Sequence, residues 1–155
     1  VERELNPETI ARAITKIVAE AGVRAKAAMT VTALAIEKQA KINASNGEHP
    51  RGTRTPASPG SGPARISGTL VRSITHSDVK ATAVGWEMRV GLAGGLYPSY
   101  GSRKRTASSK YGKYLELGML RNGAAYPFLG PAVTFGSKIV AYTAFKVAFS
   151  VPWAI

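Results

Sequence analysis

A stripe of apolar side chains at helical spacing runs from Ile10 almost to residue 43, and no other feature of the sequence limits the possible folds as much. Ile10, Ile14, Ile17, Val18, Ala21, Ala25, Ala28, Met29 and Ile36 share one face, while Glu8, Arg12, Lys16, Glu20, Lys26, Glu37, Lys38 and Lys41 lie mostly opposite. The start is written locally. Asn6 can cap free N–H groups, Pro7 tolerates the first turn and Glu8 suits the helix dipole. Such a helix measures about 55 Å, more than a 155-residue domain needs to cover its own core. Part of it is therefore expected to meet another subunit. Val23, Val31 and Leu34 fall off the main stripe. Ala25, Ala27, Ala28, Ala33 and Ala35 permit close helix approach, although alanine is also simply a good helix former. Gly22 reads as the site of a bend.

The rest of the chain is broken by two long loops. Residues 44–66 carry four prolines and four glycines, with Arg51, Arg54 and Arg65 free either to follow phosphates or simply to be solvated. An arm that orders on assembly is a third reading. Ser67 or Thr69 can cap a helical turn carrying Leu70 and Ile74 on one side. From Val84 to Leu92 apolar and other residues alternate, which predicts an antiparallel hairpin with one buried face, paired with the segment around 74–81. Residues 97–126 hold a basic loop and a Tyr-rich element, in which 110–118 fits a short helix or a strand. Residues 127–155 hold an apolar run with Pro131 near its start, and a tail, Val151 to Ile155, apolar enough to dock on something. The expected architecture is a single α+β domain: a long N-terminal helix (1–43) and a C-terminal helix packed on a small antiparallel sheet of three or four strands.

Chemistry is conspicuously thin. There is no cysteine, which excludes disulfides and thiolate catalysis. Only His49, His76 and one aspartate, Asp78, supplement the glutamates, so neither a metal cluster, a paired carboxylate site nor a Ser-His-Asp set can be assembled without arbitrary choices. Residues 91–95 resemble a phosphate loop but lack the following Gly-Lys-Ser/Thr and open no patterned helix. No enzyme, cofactor or metal is expected. No apolar run approaches the roughly 20 residues that span a bilayer, and the acidic start Val1-Glu2-Arg3-Glu4-Leu5 shows no secretory signal. A soluble chain that acts where it is made, or in a particle assembled there, is expected, with no membrane partner.

The net charge of +12 is unevenly placed: residues 97–126 hold six basic side chains and one acid, so +5 of the excess sits there. Arg103, Lys104, Arg105, Lys110 and Lys113 are interleaved with Tyr97, Tyr100, Tyr111 and Tyr114, a composition suited to phosphate contacts with some stacking. A solvated loop facing an acidic protein accounts for it equally simply. Any contact with double-stranded DNA would be to phosphates and insensitive to sequence.

Three motifs in order carry a family resemblance: Ser67-Gly68-Thr69-Leu70-Val71-Arg72-Ser73-Ile74, Tyr111-Gly112-Lys113-Tyr114-Leu115-Glu116-Leu117-Gly118 and Pro127-Phe128-Leu129-Gly130-Pro131-Ala132. With the long helix, the loop and the hairpin, they resemble the neck or tail-completion proteins of long-tailed bacteriophages. That family's patterns run approximately Thr-Gly-x-Leu-x-x-Ser-Ile, Tyr-Ala-x-Tyr-(Val/Leu)-Glu-x-Gly-Thr and Pro-Phe-(Leu/Met)-x-Pro-Ala. This chain has Ser67 for Thr, Gly112 for Ala and Met119 for the final Thr. The resemblance implies a non-enzymatic virion protein, assembled in the host cytoplasm, that forms a sixfold homo-oligomeric ring at the head-tail joint. Its implied neighbours are a connector or stopper ring, a tail-terminator or tail-tube protein, and the passing DNA. It further implies structural roles for Gly68, Leu70, Ser73, Ile74, Tyr111, Tyr114, Gly118, Pro127, Phe128 and Pro131, and an Arg or Lys partner for Glu116 in its own or a neighbouring chain. A tail-terminator or other connector ring, or a free basic nucleic-acid-binding protein, are the alternatives.

Overall fold

The computed structural model describes residues 6–48, 57–65, 68–93, 108–119 and 123–153. Helix α1 (Pro7–Asn43) starts as its sequence dictates, with the Asn6 side chain accepting from the Glu8 N–H at 2.9 Å and Pro7 in the first turn. It stays helical through Gly22, and a contact is made there. A Cβ at Gly22 would lie 3.2 Å from Cζ2 of Trp86, and the glycine makes room for the indole. Only the second half of α1 is properly covered: Ala28, Thr32, Ala33, Ile36 and Ala40 are buried, and no α1 residue before Ala28 is.

The chain after α1 folds back on that second half. Ala44 and Ala57 are buried, and Gly47 and Ala64 form an isolated parallel bridge, with the Gly47 N–H donating to the Pro63 carbonyl at 3.3 Å. Helix α2 (Thr69–Ser73) begins from Gly68 at φ 70°, so the left-handed backbone of a glycine sets its start in place of the expected hydroxyl cap. Thr69 is already inside the helix, and Ser67 lies outside the described residues.

Strands β1 (Ile74–His76), β2 (Lys80–Thr82), β3 (Gly85–Glu87) and β4 (Val90–Leu92) follow. β1 pairs antiparallel with β4 through Ile74 and Leu92, and β2 with β3 through Ala81 and Trp86. These are two short ladders rather than one sheet of three or four strands. The Ser77 N–H still reaches the Arg89 carbonyl at 2.8 Å, but beyond it Asp78 and Val79 face Met88 alone, and the register slips by one. That is the signature of a β-bulge. The expected buried face exists only at the base of the hairpin. Ile74 is 1% and Val79 7% exposed, while Val84 at the tip is 98% exposed, because the outer half of a ribbon two strands wide has little behind it beyond the contact of Trp86 with Gly22.

Residues 110–118, left open between helix and strand, belong to helix α3 (Ser108–Leu117). The C-terminal run is helical throughout: α4 (Leu129–Phe135), a π-helical turn (Gly136–Val140) and α5 (Ala141–Ser150). It lies antiparallel to α1, since Gly136 meets Ile36 whereas the carbonyl of Ala148 meets Arg24. The core collects Ile36, Ala40, Ile74, Leu115, Tyr126, Phe128 and Ala132, with Leu70, Val71, Val90, Leu92 and Leu129 packed around them. The molecule is thus α+β, with two long helices against a small antiparallel hairpin.

Candidate functional site

The three sequence motifs converge on one place. Ile74 ends the first, Leu115 sits in the second, and Phe128 and Ala132 belong to the third, and all four side chains are buried in one cluster. Backbone joins what packing brings together, as the Tyr126 N–H donates to the Leu115 carbonyl at 2.8 Å. Within the first motif Leu70 is half-buried and Ser73 fully buried, its hydroxyl donating to the Leu70 carbonyl at 2.7 Å.

At the centre is Glu116. Its Oε2 accepts from the N–H groups of Phe128 and Leu129 at 2.9 and 3.0 Å, and Oε1 from Gly130 at 2.7 Å. A helix start leaves four backbone donors without intrahelical partners. Here three are met by one carboxylate from another helix, and the fourth does not exist because Pro131 has no N–H. The negative charge also faces the positive end of the helix dipole. Among the described residues of its own chain Glu116 therefore finds backbone N–H groups.

The geometry needs its glycines. Gly118, at φ 68°, ends α3: its own N–H reaches back to Leu115 and that of Met119 to Tyr114 at 2.9 Å, a Schellman turn that aims the chain toward Pro127. Gly112 stands where the family pattern has alanine. A Cβ there would fall 2.0 Å from Leu92 Cδ1, so this chain fills the space from the hairpin side. Beside the clamp opens a depression of about 350 Å³ lined by Leu92, Gly112, Lys113, Leu117 and Leu129.

The basic residues are only partly placed. Lys110 and Lys113 are exposed on α3, with Lys110 Nζ 5.9 Å from the centre of the Tyr114 ring. Burial, and after it Tyr126, push the Tyr111 phenol above its usual range. Arg103, Lys104 and Arg105 lie outside the described residues. Pro127 is half-buried and Pro131 exposed.

Two further groupings escape sequence reasoning. Arg24, whose side chain is 11% exposed, pairs with Glu20 and donates to the carbonyls of Ala148, Val151 and Pro152 at 3.3, 2.5 and 2.8 Å. Its guanidinium also lies 4.4 Å from the Trp153 ring centre, so the apolar tail docks on α1. The C-terminal helical run thus has a carboxylate at its N-terminus and a guanidinium at its C-terminus. The Glu20–Arg24 spacing is a signal of an ion pair, but nothing local foretells carbonyl acceptors so far along the chain. Elsewhere Glu37 joins Lys41 and His76 Nδ1, tying β1 to α1. Burial opposes ionisation of Glu37, yet hydrogen bonds and charge from Lys41 and His76 outweigh it and hold the carboxyl below its usual range.

Among the described residues no group of three His, Asp or Glu side chains is placed to hold a metal, and no helix is long and apolar enough to cross a membrane. Comparison with family models, curated proteins and solved structures finds no match to this chain.

Proposed function

We propose that this chain is a structural subunit of the ring that joins head and tail in a long-tailed bacteriophage, without a catalytic step of its own. The observation that carries the reading is the convergence of the three resemblance-bearing motifs on Glu116 and the core around it. Segments from α2, α3 and α4 that look like separate short matches in the sequence form one mutually dependent unit. Such a unit would be a fixed platform from which the loops and the long helices reach neighbours. A ring of identical chains needs heterologous interfaces, and the exposed apolar side chains on both long helices are suited to them. Passing DNA would meet exposed lysines such as Lys110 and Lys113 through its phosphates.

Electron microscopy of phage particles containing this chain tests the proposal. A closed ring at the head-tail joint is the expected result. Density absent from that joint, with the chain recovered on free nucleic acid and released by salt, would replace the proposal by a basic nucleic-acid-binding protein.

A further inference from the structure

The arginines between residues 49 and 77 form a set apart. That stretch carries Arg51, Arg54, Arg65 and Arg72 but neither a lysine nor an acidic residue, the flanking acids being Glu48 and Asp78. Arg51 and Arg54 lie outside the described residues, whereas Arg65 and Arg72 come together at Gly68. Nε and Nη2 of Arg65 stand 3.4 and 3.7 Å from the place a Cβ would take on that glycine, and Nη1 of Arg72 stands 3.7 Å from it. Two guanidiniums that share one point in this way are neighbours, with at most twice that distance between those nitrogens.

Backbone, not attraction, brings them together. Ala64, next to Arg65, bridges to Gly47, and the Arg72 N–H donates to the Gly68 carbonyl at 3.0 Å, just ahead of the buried Ser73 and Ile74. Two like charges at such range repel. No carboxylate relieves them, since neither arginine joins an ion pair among the described residues. The one hydrogen bond of either guanidinium there is long, from Arg72 Nη2 to Thr69 Oγ1 at 3.5 Å. Both residues are exposed, so their remaining N–H groups are open to a ligand.

An anion would relieve the repulsion, and the geometry selects its kind. A carboxylate presents two oxygens in one plane to one fork, whereas a phosphate is tetrahedral and offers separate oxygens to guanidiniums on different sides. Charge-assisted bonds of about 2.8 Å from each head to one phosphate would close the gap between them. Arginine at all four positions agrees, because bidentate contact needs the planar fork as well as the charge. We infer that Arg65 and Arg72 form a two-pronged phosphate site beside Gly68. The phosphate comes either from a nucleic-acid backbone or from a free phosphate group. The first source rests on the ring reading, in which DNA passes the chain; the site itself does not.

Nitrogen NMR of the arginine Nε–H groups in the full chain reads the site directly. Inorganic phosphate, added at constant ionic strength against sodium chloride, is expected to shift the Arg65 and Arg72 signals together with one midpoint. Arg89, paired with Glu87, should stay in place. In Arg65→Lys, which keeps the charge but loses the fork, the Arg72 shift should fall at least about fivefold while circular dichroism is unchanged. A short duplex DNA of arbitrary sequence that displaces phosphate from both signals identifies the backbone as the source. Arg65→Gln and the double variant Arg65→Gln/Arg72→Gln should then weaken DNA binding by nearly the same factor, where independent surface charges would multiply their effects. Phosphate that shifts both signals and is not displaced by the duplex keeps the site and assigns it to free phosphate. Signals that stay still, move with different midpoints, or move in Arg65→Lys as in the native chain overturn the site. Signals moved by polyglutamate and not by phosphate overturn it as well, in favour of an acidic protein segment. A chain missing from the head-tail joint whose two signals still answer to phosphate keeps the site and removes the phage reading.

Discussion

The carboxylate of Glu116 accepts from residues 128, 129 and 130, and the next residue, Pro131, has no N–H to offer, so a single side chain answers every donor at the start of α4. Charged hydrogen bonds of this kind and helix caps each contribute on the order of 1–2 kcal/mol. Glu116→Ala should therefore lower unfolding stability by about 2–3 kcal/mol in urea titrations, and Glu116→Gln by a smaller amount. A loss under about 0.5 kcal/mol for the alanine variant would contradict the clamp. Glu37 gives a pH signature. Its carboxyl is held below the usual 4.5 when folded. A depressed acid contributes stability above its unfolded pKa and loses that contribution as pH falls through the folded value. The stability difference between the native chain and a Glu37→Gln variant should shrink as pH drops from about 6 to about 3, and a difference that stays constant would refute the linkage. Arg24→Lys keeps the charge but not the planar fork that reaches three carbonyls and covers Trp153. Hydrogen exchange at residues 148–153 should accelerate in that variant while exchange around Phe128 is unchanged.

At the scale of elements, the legible parts are those whose cause is local. Asn6-Pro7 and the apolar stripe define α1 because capping and helical period act within a few residues. The alternation from Val84 to Leu92 marks strands for the same reason, but not the bulge at Asp78 and Val79, since a one-residue slip leaves the alternation within each strand intact. Glu116 stands out as a rare acid in a basic segment, yet charge pattern leads to Arg or Lys. Within the described chain it meets backbone groups, and these carry no sequence signature. Gly22 shows a second kind of hidden partner: glycine in a helix suggests a bend, and its use as space for Trp86 from the hairpin leaves no local mark. Gly136, the first residue of the π-helical turn, is a similar case. A Cβ at Gly136 would lie 2.1 Å from Ile36 Cγ1, so the C-terminal helix approaches α1 more closely than alanine allows. Gly136→Ala should cost about 1–3 kcal/mol despite the better helix propensity of alanine. In an Ile36→Ala background that penalty should fall by at least about 1 kcal/mol, a coupling that a double-mutant cycle measures.

At the scale of the molecule, the core lies at one end and the apolar surface is spread along the two long helices. The hairpin base, α2, α3 and the start of α4 enclose the buried cluster, while α1 continues beyond the C-terminal helix. Removing residues 1–19 should leave the unfolding transition of the remaining chain within about 0.5 kcal/mol, because no residue of the described part of that stretch is buried.

Supported only along its second half, α1 is a lever. Arg24, gripping the tail, is its fulcrum, and at the far end the Asn43 amide donates to the Phe128 carbonyl at 3.1 Å, beside the Glu116 clamp. With a free arm of about 25 Å, a tilt of about 2° moves the tip by about 1 Å. Any pull on the arm is delivered along a stiff rod to the residues that hold α4 in place. A molecule that held the arm would therefore bear on the start of α4 without touching it.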